Sequence, residues 1–158
     1  MWVRRSAIAL SLAVGCVAIA RPDTAANPLF GTVRLSSGFN PDPHVVVMRA
    51  GGDVDVQTQG LPSHCGGYIA PIQPDVRLVW ASGTSTLRIA ACSGTDTTLI
   101  VNDAQGNWHC ADDIEGQNPV LEFRDGSGRY DIWVGAWSAG AARSAELRVT
   151  ERDGVICD

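Results

Sequence analysis

Apolar and polar positions alternate with a period of two in short runs along most of the chain, and helical spacing is almost absent. The alternation is clearest in two places. Leu87, Ile89 and Ala91 share one face of a run, and Tyr130, Ile132, Val134 and Ala136 share one face of another, because successive side chains on a pleated strand point to opposite sides. Those faces are expected in a core. The same pattern predicts strands over 31–36, 44–49, 54–57, 67–70, 76–81, 86–92, 97–102, 108–111, 120–124, 129–137 and 145–151.

Turn chemistry separates them: Pro41-Asp42-Pro43 restricts two φ angles, Gly51-Gly52 permits positive φ, and Asp125-Gly126-Ser127-Gly128 offers a tight reversal. Asp103-Ala104-Gln105-Gly106-Asn107 joins 97–102 to 108–111, so that pair is expected to form an antiparallel hairpin. Many short strands at this spacing predict an all-β fold, an antiparallel two-sheet sandwich of jelly-roll type. The other face of the 129–137 strand then carries Asp131, Trp133, Gly135 and Trp137, two large aromatics where a sandwich normally meets water.

The N-terminal segment breaks the strand pattern. Arg4 and Arg5 precede an apolar run from Ala7 to Ala20, followed by small residues, which is the build of a secretory signal. The run is too short for the ~20 apolar residues of a membrane-spanning helix, so no transmembrane span is expected. Thr24-Ala25-Ala26 would end a signal at residues 1–26 and leave 27–158 as a single domain, whereas Ala18-Ile19-Ala20 would cut after residue 20. A lesser alternative is a lipoprotein, since Ala13-Val14-Gly15-Cys16 partly resembles a lipobox and would acylate Cys16.

Removal of residues 1–26 takes away Arg4, Arg5, Arg21 and Asp23. Of 12 basic and 17 acidic residues this leaves 9 and 16, moving the net charge from −5 to −7. Such a field opposes binding to nucleic acid or to an anionic membrane. Every basic residue is Arg, from which no function follows.

Cys65, Cys92, Cys110 and Cys157 remain after the signal. An even number of cysteines in an exported chain favours disulfides, with three possible connectivities. His64-Cys65 and His109-Cys110 also suggest zinc or copper ligands. Neighbours on a strand point to opposite faces, however, and oxidation would remove the thiolates. The acidic residues Asp96, Asp103, Asp112 and Asp113, with Glu115, are a better candidate for calcium, which takes carboxylate oxygens from loops. Their bland alternative is side-chain turns and solvated charge.

Trp108, Trp133 and Trp137 are the candidate ligand face, because a flat aromatic on a sheet can stack on a sugar ring or a partner's apolar side chain. The competing arrangement, which carries more weight, has the extra N-terminal strands lying over that face and burying the rings.

Asp96-Thr97-Thr98-Leu99-Ile100-Val101-Asn102-Asp103, Gly106, Asp112-Asp113, the run Pro119-Val120-Leu121-Glu122-Phe123 and Gly128-Arg129-Tyr130-Asp131-Ile132-Trp133-Val134 together resemble the bacterial pre-peptidase C-terminal domain. That likeness covers roughly residues 86–151. It implies a compact β-sandwich of the kind attached to secreted hydrolases. A longer resemblance takes in Asn27-Pro28-Leu29, Ser37-Gly38-Phe39-Asn40-Pro41-Asp42-Pro43, Gly51-Gly52 and Trp108-His109-Cys110-Ala111-Asp112-Asp113. It is to uncharacterised secreted bacterial proteins, some of them labelled chymotrypsin-like serine peptidases.

The peptidase label is not carried over. No Gly-Asp-Ser-Gly-Gly segment, Ala-Ala-His-Cys segment or Gly-x-Ser-x-Gly elbow occurs here. The longer resemblance places a cysteine at both Cys65 and Cys110, which implies that bridge and leaves Cys92 with Cys157. The expectation is a monomeric, non-catalytic binding or accessory module of the periplasm or exterior, with a protein or glycan ligand and no cofactor unless calcium. The rivals are a hydrolase with an unrecognised site and a structural envelope protein.

Overall fold

The computed structural model describes residues 21–70, 72–81, 86–140 and 142–157. The signal-like segment through residue 20, with Cys16 and Ala18-Ile19-Ala20, lies outside the described residues. Each of the eleven expected strands is present: β1 Thr32–Leu35, β2 His44–Ala50, β3 Val54–Asp55, β4 Tyr68–Ile69, β5 Val76–Trp80, β6 Leu87–Cys92, β7 Thr97–Asn102, β8 Trp108–Ala111, β9 Val120–Phe123, β10 Gly128–Ala136 and β11 Arg143–Thr150. The run expected as a strand over 54–57 is one only to Asp55. There the Asp55 carboxylate accepts the Gln57 N–H at 2.9 Å and caps a 3-10 turn over Val56–Gln59, closed by Gly60 at φ +67°.

One sheet has the order β2-β11-β6-β9. In the other, β10 is central: β7 and then β8 lie on one side of it, while β5 and, further along, β4 lie on the other. The strand sequence β2, β5, β6, β7, β8, β9, β10, β11 thus distributes itself as β2-β11-β6-β9 over β5-β10-β7-β8. That is the jelly-roll arrangement of two interlocked Greek keys. β7 and β8 form the expected antiparallel hairpin. Every strand pair is antiparallel except β1 with β5, because β1 joins the edge of the second sheet in the direction of β5.

The faces expected in the core are there. Leu87, Ile89 and Ala91 from one sheet pack with Leu78, Leu99, Tyr130, Ile132 and Val134 from the other, and Met48, Leu147 and Val149 complete the interior. Full burial of each of the larger aliphatic side chains is worth about 1.5–3 kcal/mol.

The chain between β2 and β5 is an insertion in the jelly roll, and it makes a third layer. β3 and β4 pair with each other and, through Tyr68 opposite Ala136, with the end of β10, and the segment folds from there over the outer face of the second sheet. There Val56, Cys65 and Ile69 pack on Ile100 and Trp133, with Val54, Leu61, Trp108 and Cys110 at the margin. The Cys65–Cys110 disulfide, with 5.2 Å between α-carbons, ties this layer to β8. Cys92–Cys157, at 5.3 Å, ties the C-terminal tail to β6. Both expected pairings are therefore formed.

Candidate functional site

The three candidate tryptophans occupy different environments. Trp133 is fully buried: its Nε1–H donates to the Ile72 carbonyl at 3.1 Å, and its ring lies 5.4 Å from that of Trp108. Trp133 is therefore not part of an exposed ligand face, because the inserted layer covers the outer side of β10. Trp108 is half-buried at the edge of that layer. Trp137 alone of the three stands in water, 52% exposed.

The position of Trp137 follows from the end of β10. Ala136 is the last residue of that strand, opposite Thr97 and Tyr68, and the Trp137 N–H then bonds the Asp96 carbonyl at 3.2 Å. The indole passes over Gly66, where a β-carbon would come within 3.3 Å of the ring. Gly67 beside it has φ +88°, and a β-carbon there would lie 2.6 Å from Thr98 Oγ1, so both the conformation and the close approach require glycine.

At Asp96, whose carbonyl accepts the Trp137 N–H, the acidic residues divide. β7 and β8 are antiparallel with Leu99 opposite Ala111, so residues just before β7 and just after β8 meet at the open end of the hairpin. Asp96, Asp112 and Asp113 converge there, with carboxylate oxygens within 4.8 Å of one another. Asp103 does not join them. It lies at the turn, about 20 Å away along a six-residue strand at ~3.3 Å per residue. Its carboxylate accepts the Gln105 and Asn107 N–H groups at 2.9 and 2.8 Å and pairs with His109 Nε2 at 2.7 Å. Glu115 is also elsewhere: it receives the Ile156 and Cys157 N–H groups, each at 2.9 Å, and holds the C-terminal tail.

The triad is electrostatically unfinished. Among the described residues, Oδ1 of Asp96 and Oδ1 of Asp112 are both shielded from water and have no hydrogen-bond partner, and neither has Oγ1 of Thr98, a residue of β7 only 2% exposed. Desolvation and then the charge of Asp113 push the Asp96 carboxyl up from its ordinary range. Asp112 is pushed up by desolvation and then by Asp113 and Asp96. Three converging carboxylates with two orphaned oxygens form an all-oxygen donor set of the kind that suits a hard divalent cation such as calcium.

His64, Cys65 and Cys110 also bring ligand atoms within 4.8 Å of one another. Both sulfurs are spent in the disulfide, so no thiolate is available for zinc or copper. His109 faces away from Cys110, edge-on to Phe123 at 5.1 Å, where with Asp103 it closes the hairpin turn. Desolvation works against the Asp103 charge, but the bonds from His109, Asn107 and Gln105 prevail and hold its carboxyl below the ordinary range.

Sequence reasoning missed Asp75. β10 exchanges β5 for β4 between Ile132 and Ala136, which leaves Val134 without a strand partner on that edge. The gap is closed by Asp75 Oδ2, which accepts the Val134 N–H at 2.7 Å, and by the Gly51 N–H, which bonds the Val134 carbonyl at 3.1 Å. Burial pushes this carboxyl up to about 7 despite that bond. An acid just before a strand reads as a solvated turn residue, and no signal in the sequence marks it otherwise.

Compared with protein-family models and with curated proteins, the chain gives no match.

Proposed function

We propose that this protein is a non-catalytic binding module of an exported protein, acting in the periplasm or outside the cell, and that it takes a carbohydrate at the Trp137 end of its outer face with calcium held by Asp96, Asp112 and Asp113. The observations that support the reading are the half-exposed Trp137, whose backbone N–H bonds the carbonyl of Asp96, and the carboxylate triad with unpartnered oxygens to which Asp96 belongs. A sugar presents an apolar C–H face that stacks on an indole. Its rim of hydroxyls can donate to carboxylates or enter the coordination sphere of calcium. The two disulfides fit an oxidising compartment, and among the described residues no helix is long and apolar enough to cross a membrane.

A glycan array probed with and without calcium tests the assignment. Binding should need calcium and fall about tenfold or more in Trp137→Ala, the loss of ~1.4 kcal/mol of stacking. Calcium should also raise the melting temperature, and a chelator should reverse the rise. The gain should shrink as pH falls, because protons compete for Asp96 and Asp112, whose carboxyls are raised. A melting temperature indifferent to both calcium and chelator removes the metal. A partner that is a protein, bound through Trp137 without any glycan, replaces the carbohydrate.

A further inference from the structure

We infer that the chain is processed between Ala20 and Arg21, so that the mature protein begins at Arg21 and not at Asn27. The inference rests on the export reading above and concerns where the leader ends. The sequence offers two small-x-small sites, Ala18-Ile19-Ala20 at the close of the apolar run and Thr24-Ala25-Ala26 six residues further on.

The folded domain uses the residues between them. Pro22 is buried. The Asp23 N–H bonds the Ile72 carbonyl at 2.7 Å, and the Asp23 carboxylate accepts the Ala25 N–H at 2.8 Å, closing a side-chain turn. Arg77 fastens the segment. Its Nε donates to Asp131 Oδ1 at 2.7 Å, and its Nη2 donates to the carbonyls of Thr24 and Ala26 at 2.8 and 2.9 Å.

A cut after Ala26 would remove both carbonyls from Arg77, exchanging two fixed acceptors for water at a guanidinium that is only 15% exposed with the segment in place. A cut after Ala20 keeps every one of these bonds, and it places the new α-ammonium on Arg21, which is exposed. Thr24-Ala25-Ala26 is then a turn sequence of small residues serving Arg77. The reaction is amide hydrolysis by a signal peptidase: the Ala20–Arg21 C–N bond breaks, water supplies hydroxide to the Ala20 carbonyl, and its proton goes to the released amine.

Intact mass and the N-terminal peptide of the full chain, expressed in and exported by a bacterial cell, decide the point. The expected product starts at Arg21. Ala20→Asp, which puts a charge at the last position of the site, should abolish that product, while Ala26→Asp should leave it in place. A product starting at Asn27, or a diacylated Cys16, overturns the inference and leaves export standing. An uncut chain retained in the cytosol overturns both.

Discussion

On one side of β10, Tyr130, Ile132 and Val134 meet the facing sheet; on the other, Trp133 lies under an inserted segment and a disulfide, and Asp131 is held between Arg77 and Arg129. Both sides are dry, but they are made differently. The inner side is the product of alternation in strands from both sheets, each presenting every second residue to the same space. The outer side is covered by two two-residue strands, a 3-10 turn and a loop, with Cys65–Cys110 as its anchor and a polar flank where Arg77 and Arg129 close on Asp131 at 2.7 Å each. The inner core should therefore be cooperative with the whole fold, and the outer layer should be separable from it.

The comparison would break first at Leu147, which is fully buried between the sheets. Leu147→Ala should cost about 2–5 kcal/mol, and denaturant titration should show sheet circular dichroism and Trp133 burial lost in one transition. Two separate transitions would mean that the inner core does not carry the outer layer.

Next comes Cys65→Ser with Cys110→Ser, which opens a loop with a sequence separation of 45. The chain-entropy model sets the cost at up to ~4 kcal/mol. The expected signature is local, with red-shifted and more quenchable tryptophan emission but a preserved sheet spectrum. A lost sheet spectrum would show that the outer layer is integral to the sandwich.

The third effect is confined by pH. Asp75 sits where β10 changes partners, and its folded carboxyl titrates near 7, above the ordinary value of 3.8. The folded state therefore binds this proton more tightly than the unfolded chain does. Its stabilising contribution is full below about pH 3.8 and is lost as pH rises through about 7. Asp75→Asn keeps an acceptor for the Val134 N–H. Thermal melts should show the variant more stable than the parent at pH 8, by an amount on the order of a few kcal/mol, with the advantage absent at pH 4. An unchanged difference across that range would remove the titration.

Strand positions were legible because alternation and turn residues act over a few neighbours, so the faces of β6 and β10 could be assigned from local pattern alone. Half of the candidate site was legible too. Asp96, Asp112 and Asp113 were recognisable as candidates, and the expected hairpin implies that its two ends meet. Asp103 was grouped with them by charge, although its place at the turn of the same hairpin already set it a strand's length apart. The burial of Trp133 agrees with the weightier of the two expected arrangements, whereas the hydrogen bond of Asp75 was beyond reach, since it depends on which distant segment crosses the sheet.

By itself, then, the sequence determined the eleven strands and the all-β class and, with the resemblance, the two cysteine pairs. Only the tertiary structure decided that the insertion covers Trp133 and leaves Trp137 open, that one oxygen each of Asp96 and Asp112 is shielded from water, and that Arg77 holds residues 24 and 26 in the domain. The physical reason is range: period-two burial and turn geometry are encoded by adjacent residues, whereas the burial of Trp133 and a guanidinium's choice of carbonyls are set by segments about fifty or more positions apart meeting on one sheet.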